Sequence, residues 1–134
     1  MSTSRSGLRL SPHPYPELMK VDDVRHPVRD WINSLGWRDL KLLAQCTVRR
    51  AGAGHEIAYT IYDDDGDAAS DPFEGVRIVA VYRDGESVVV TRAEYDAIVA
   101  DICDIAIANP PDPLPEWWDA FLANAAVIRA RADG

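Results

Sequence analysis

A chain of 134 residues, 47% of them hydrophobic, has the length of one domain and enough apolar side chains to bury a core, which excludes wholesale disorder. Lys and Arg total 14 against 22 Asp and Glu; the net charge of -8 repels phosphate backbones, so no nucleic acid is expected as a partner. Cys46 and Cys103 show neither a CxxC spacing nor a disulfide framework, so free thiols in a reducing cytoplasm are expected, with a single bridge between them left open. No apolar run approaches the roughly 20 residues that span a bilayer, and Met1–Ser11 has no apolar signal core. No membrane partner and a cytoplasmic location follow as expectations. Arg outnumbers Lys 12 to 2, a bias typical of GC-rich bacterial coding.

Residues 1–20 read as an extended or disordered N-terminal arm, because Pro12, Pro14 and Pro16 forbid a helix there. Residues 21–134 read as a single α+β domain. A first helix is expected over 27–35: Val28, Trp31, Ile32 and Leu35 share one face, Pro27 suits its first turn and Gly36 its left-handed end. Over 39–50, Leu40, Leu42, Ala44, Cys46 and Val48 alternate with Lys41, Leu43, Gln45, Thr47 and Arg49, which predicts a strand. Ala51-Gly52-Ala53-Gly54 predicts a turn into a second strand over 56–62. Further strands are expected over 76–83 and 86–91, joined at Asp84-Gly85. Thr91-Arg92-Ala93-Glu94 predicts a capped helix over 92–108, ended by Asn109-Pro110-Pro111, and a last helix follows over 115–131.

The expected fold is therefore α+β: a four-stranded antiparallel meander sheet with one N-terminal and two C-terminal helices packed against it. Leu42, Cys46, Ile57, Ile61, Ile78, Ile98, Ile102 and Leu122 are the expected core.

No catalytic residue, cofactor site or metal site is expected from the motifs. Aligning Gly66 with the glycine of a calcium loop puts Ile61 at the first ligand position and Pro72 at the last, and both fail. His13, His26 and His55 have no metal-ligand spacing, and no GxSxG, P-loop or GxGxxG occurs. An enzyme or small-ligand site assembled only in three dimensions stays open, as does an accessory or adaptor subunit.

Charge is distributed unevenly. Nine Lys/Arg against five Asp/Glu leave +4 over residues 1–50, while five against seventeen leave -12 over residues 51–134. The acids gather as Asp63, Asp64, Asp65, Asp67, Asp71 and Glu74 in one loop, and as Glu94, Asp96, Asp101 and Asp104 on one helix. A solvated surface accounts for such residues; so does electrostatic steering of a basic protein partner. Trp117 and Trp118 are adjacent in a helix, about 100° apart, so both cannot point inward; Trp117 is the candidate for an aromatic anchor. The acidic loop, Asp63 to Glu74, and Trp117 are the expected partner-binding residues. In size, charge and architecture the chain resembles immunity proteins of bacterial contact-dependent growth inhibition and related polymorphic toxin systems, though no motif carries the likeness. Such proteins block a cognate toxin domain, often a nuclease, by forming a complex with it. The resemblance implies a basic toxin domain as partner and leaves the oligomeric state open.

Overall fold

A computed structural model describes residues 4–14, 17–55, 57–66 and 72–134. In chain order these residues form β1 (Leu10–Pro12), β2 (Met19–Val21), α1 (His26–Asn33), α2 (Trp37–Val48), β3 (Ala58–Tyr62), β4 (Val76–Ala80), β5 (Glu86–Val90), α3 (Arg92–Ala108) and α4 (Trp118–Asp133). The fold is α+β. Its sheets are a two-stranded antiparallel pair, β1-β2, and a three-stranded antiparallel sheet ordered β3-β4-β5.

The expected four-stranded meander is corrected by α2, a helix through the segment that predicted a strand. Two periods overlap in that stretch. Trp37, Leu40, Leu43, Ala44 and Thr47 recur at helical spacing and are the residues buried, while Leu42, required inside by the alternation, is 51% exposed. The Asp39 carboxylate accepts the Gly36 N–H at 2.8 Å and so caps the helix start. Gly36, expected in a left-handed helix end, is extended at φ -108 and opens α2. Two helices therefore precede the sheet instead of one.

Without the expected first strand, the expected turn at 51–54 becomes an extended segment laid along the outer edge of β3. Thr60 N–H donates to the Ala53 carbonyl at 2.8 Å and His55 N–H to the Ala58 carbonyl at 3.0 Å. Gly52 permits this approach, because a Cβ there would stand 2.0 Å from the Thr60 carbonyl oxygen. Ile57, expected in the core, directly precedes β3 and is 41% exposed. Cys46, Ile61 and Leu122, also expected inside, are half-buried; Ile78, Ile98 and Ile102 are buried as expected. At the β4–β5 connection Asp84 and Gly85 both take positive φ, 55° and 74°, and Glu86 N–H closes the turn on the Arg83 carbonyl at 2.9 Å.

α3 is the central element. Thr91 Oγ1 accepts the Glu94 N–H at 2.9 Å and caps it. Tyr95 in its first turns stacks on Trp31 of α1 at 5.4 Å and meets Tyr62 of β3 edge-on at 5.6 Å. α4 runs alongside, with Trp118, Phe121, Ala125 and Ile128 buried. It is parallel to α2: Trp37 faces Trp118 at 6.3 Å near the starts, and Arg131 donates to the Thr47 and Val48 carbonyls at the ends. The β1-β2 pair packs between α1 and α3 and buries Leu18 and Met19. Both cysteines are free thiols, and burial pushes the Cys103 thiol up to about 12.

Candidate functional site

A serine and a histidine meet beside a small cavity of about 60 Å³ lined in part by Trp31, Leu35 and Leu43. Ser34 Oγ lies 2.9 Å from His55 Nε2, a pairing that sequence alone did not suggest. The hydrogen bonds decide what the pair can do. His55 Nδ1 accepts from the Ile57 and Ala58 N–H groups at 3.2 and 3.4 Å. In the neutral ring the proton then sits on Nε2 and is donated to Ser34 Oγ. Ser34 in turn donates back to its own helix, with the Asp30 and Trp31 carbonyls at 2.6 and 2.9 Å. A serine nucleophile needs the opposite arrangement, with Nε2 free to take the hydroxyl proton. The pair therefore joins the end of α1 to the segment that edges β3. Among the described residues no three His, Cys, Asp or Glu side chains converge as metal ligands.

The acids gathered in sequence are dispersed by the fold, and many are neutralised within it. On α3, Asp101 is buried and accepts from Ser4 Oγ at 2.6 Å, Arg5 N–H at 2.9 Å, Ser6 N–H at 2.8 Å and Ser6 Oγ at 2.5 Å. Arg5 also pairs with Asp104 and Asp133, and Arg129 reaches Asp104 at 2.8 Å. Glu94 pairs with Arg25 at 2.9 Å. The helix expected to present an acidic patch is thus an anchor for the N-terminal residues.

In the acidic loop, Asp63 belongs to the framework. It accepts the Gly75 N–H at 2.7 Å and pairs with Arg92 at the start of α3; these two contacts hold its carboxyl below the usual carboxylate range. Asp64 lies 3.5 Å from Arg92 and is exposed, as are Asp65 and Glu74. Asp67 and Asp71 lie outside the described residues.

Trp117 is half-buried against Trp118 at 6.0 Å and Phe121 at 6.1 Å. With Trp37, Arg38, Pro111, Asp112 and Pro113 it lines a cleft of about 480 Å³, where the small-ligand alternative would have its place. Arg92 opens α3, whose 17 residues span about 25 Å, and Trp117 follows beyond its other end. The fold therefore does not bring Trp117 together with the acidic loop.

The surface that does adjoin the acidic loop is the outer face of the β3-β4-β5 sheet, which sequence reasoning missed. On the other face lie α1 and α3, whose Tyr95 meets Tyr62 and Thr60. The register places Tyr59, Val79 and Ser87 in one row across the sheet and Ile61, Arg77 and Val89 in the next. Tyr59 is 37% and Val89 41% exposed, and no described element covers them. Phe73, from the acidic loop, stacks over the Arg77 guanidinium at 4.4 Å and so brings one end of the loop onto this face. At the opposite end of the strands stand Tyr82, 76% exposed, and the exposed carboxylates of Asp84 and Glu86. The signal was present in the runs Ile78-Val79-Ala80-Val81 and Val88-Val89-Val90, which are apolar on both faces of a sheet that has helices on only one.

Comparison with known protein families, curated proteins and solved structures finds no match.

Proposed function

We propose that this chain is a binding protein that neutralises a basic protein partner, in the manner of an immunity protein that inhibits a cognate bacterial toxin by direct complex formation. The observation that carries the reading is the uncovered outer face of the three-stranded sheet. Its exposed apolar side chains are Tyr59 and Val89, set around buried Val79 and half-buried Ile61 and Arg77; carboxylates of Asp64, Asp65 and Glu74 stand at one end and those of Asp84 and Glu86 at the other. Apolar and aromatic side chains together with an arginine, inside a charged rim, have the anatomy of a protein interface. The sign of the rim selects a cationic partner and speeds its approach. In this reading Asp63 positions the acidic loop and does not itself meet the partner.

The test begins with the tagged chain expressed in its host and the isolation of a stoichiometric complex. The partner should be basic, and its toxicity should be relieved by co-expression of this chain. Association measured by stopped flow should slow as salt rises, because exposed charges are screened over about 8 Å at physiological ionic strength. A variant carrying Asp64→Asn, Asp65→Asn and Glu74→Gln should bind more slowly and with a flatter salt dependence. An acidic partner, or association insensitive to both salt and the triple substitution, would overturn the proposal.

A further inference from the structure

The two edges of the three-stranded sheet are not alike. Hydrogen bonds from Val81 N–H to the Ile57 carbonyl (2.9 Å) and from Asp63 N–H to the Gly75 carbonyl (3.0 Å) fix which backbone groups of β4 point which way. Gly75, Arg77, Val79 and Val81 direct theirs toward β3; by alternation Val76, Ile78 and Ala80 direct theirs toward β5. Their register partners are Val90, Val88 and Glu86. Ser87 and Val89 therefore turn both N–H and C=O away from the sheet, and no described group pairs with them. On the opposite edge the Ala58 carbonyl accepts from His55 N–H, Ala58 N–H donates to His55 Nδ1 and Thr60 N–H donates to the Ala53 carbonyl.

An open edge with this composition lacks the usual protection. Residues 86–90 contain no proline, lysine or glycine, their pairing with β4 has no bulge, and three consecutive valines favour the extended state. Charge indicates what fits the edge. Asp84 and Glu86, the latter 3.7 Å from His26, flank its beginning, where Arg83 is paired with Asp30; Glu94, shared with Arg25, follows its end, where Arg92 is paired with Asp63. A second copy of this chain would add another -8 of charge to the assembly.

We infer that β5 is a docking edge on which an extended, basic segment of the partner adds as a fourth strand, through the outward N–H and C=O groups of Ser87 and Val89. This rests on the proposed function and adds the mode of engagement. The added strand extends the apolar outer face beside Val89. Main-chain hydrogen bonds supply affinity, and its cationic side chains meet Asp84, Glu86 and Glu94.

A capped hexapeptide alternating Lys and Val serves as probe for the full chain, with the Glu/Val analogue as control. Amide exchange is followed by NMR. In the free protein Ser87 and Val89 should exchange fast and Val88 and Val90 slowly. The Lys/Val peptide should slow exchange at Ser87 and Val89 by about tenfold or more, because newly paired amides open only when the strand departs. The Glu/Val peptide should not slow it. Ser87→Pro removes one outward N–H and no bond to β4, and should abolish the protection; Val89→Pro repeats the test if Ser87→Pro loses native circular dichroism. Four results overturn the inference: no protection by the Lys/Val peptide, equal protection by the Glu/Val peptide, unchanged protection in the folded proline variant, or a dimer of the free chain formed through β5. If the proline variant still binds the basic partner at wild-type affinity while the triple acid variant binds more slowly, the strand addition fails and the proposed function stands.

Discussion

Asp101→Asn tests whether the buried carboxylate of α3 holds the N-terminal residues in place. Asp101 accepts four hydrogen bonds, two from the hydroxyls of Ser4 and Ser6 and two from the N–H groups of Arg5 and Ser6. Asparagine keeps the shape but offers one carbonyl oxygen, and its NH2 group then faces donors. The lost charge-assisted hydrogen bond costs roughly 1.5–3 kcal/mol, and the donor left facing a donor about 1–3 kcal/mol more. Release of residues 4–8 into water recovers part of this, so the net cost should be about 2–3 kcal/mol. With an unfolding entropy near 2.1 cal/mol/K per residue, the melting temperature should fall by about 7–11 °C. Differential scanning calorimetry of the full chain and of a chain lacking residues 1–8, each with and without Asp101→Asn, makes the test specific. In the truncated chain Asp101 faces water, and the substitution should cost less than about 0.5 kcal/mol, the range of ordinary surface changes. A full-length Asp101→Asn melting within 2 °C of the parent, or an equal loss in both backgrounds, would show that Asp101 does not hold the N-terminal residues in place.

Two further outcomes follow from the packing. Leu43→Ala should destabilise the protein by about 2–5 kcal/mol in urea denaturation, and Leu42→Ala by less than about 1 kcal/mol, because only Leu43 faces the core in a helix; the reverse order would restore the strand. Burial raises the Tyr95 phenol to about 12 and raises Tyr62 as well, so both stay neutral in the folded chain where an unfolded chain ionises. Their contribution is complete below pH 10 and is lost as pH rises from there through the folded values; alkaline titration at 295 nm should show the two phenols ionising only with unfolding, and two extra phenols titrating near 10 in the native state would contradict this.

Much of the chain is legible without coordinates. α1, α3 and α4 follow from helical spacing, caps and prolines that act within a few residues. β3, β4 and β5 follow from alternation and from Asp84-Gly85, whose two positive φ values suit few other residue pairs. The segment 39–50 is different, because its apolar residues satisfy a period of two and a period near 3.6 together. Local pattern cannot choose between them; burial of Trp37 against Trp118, and of Leu40 and Leu43 in the core, chooses the helix. The consequence travels to the site. With 39–50 helical the sheet has three strands, and residues 52–55 edge β3.

Composition and order along the chain are sequence properties, and they determined the α+β class, the net charge and the clustering of acids between β3 and β4. Which acids remain available is a property of distance in space. Arg5 lies 99 positions from Asp104 and Arg92 lies 29 from Asp63, yet each pair meets, because packing α3 against its neighbours brings them there. The same packing put α1 and α3 on one face of the sheet. That choice left the other face and the β5 edge open, since a strand's pattern records that its two faces are apolar but not which of them a neighbour will cover.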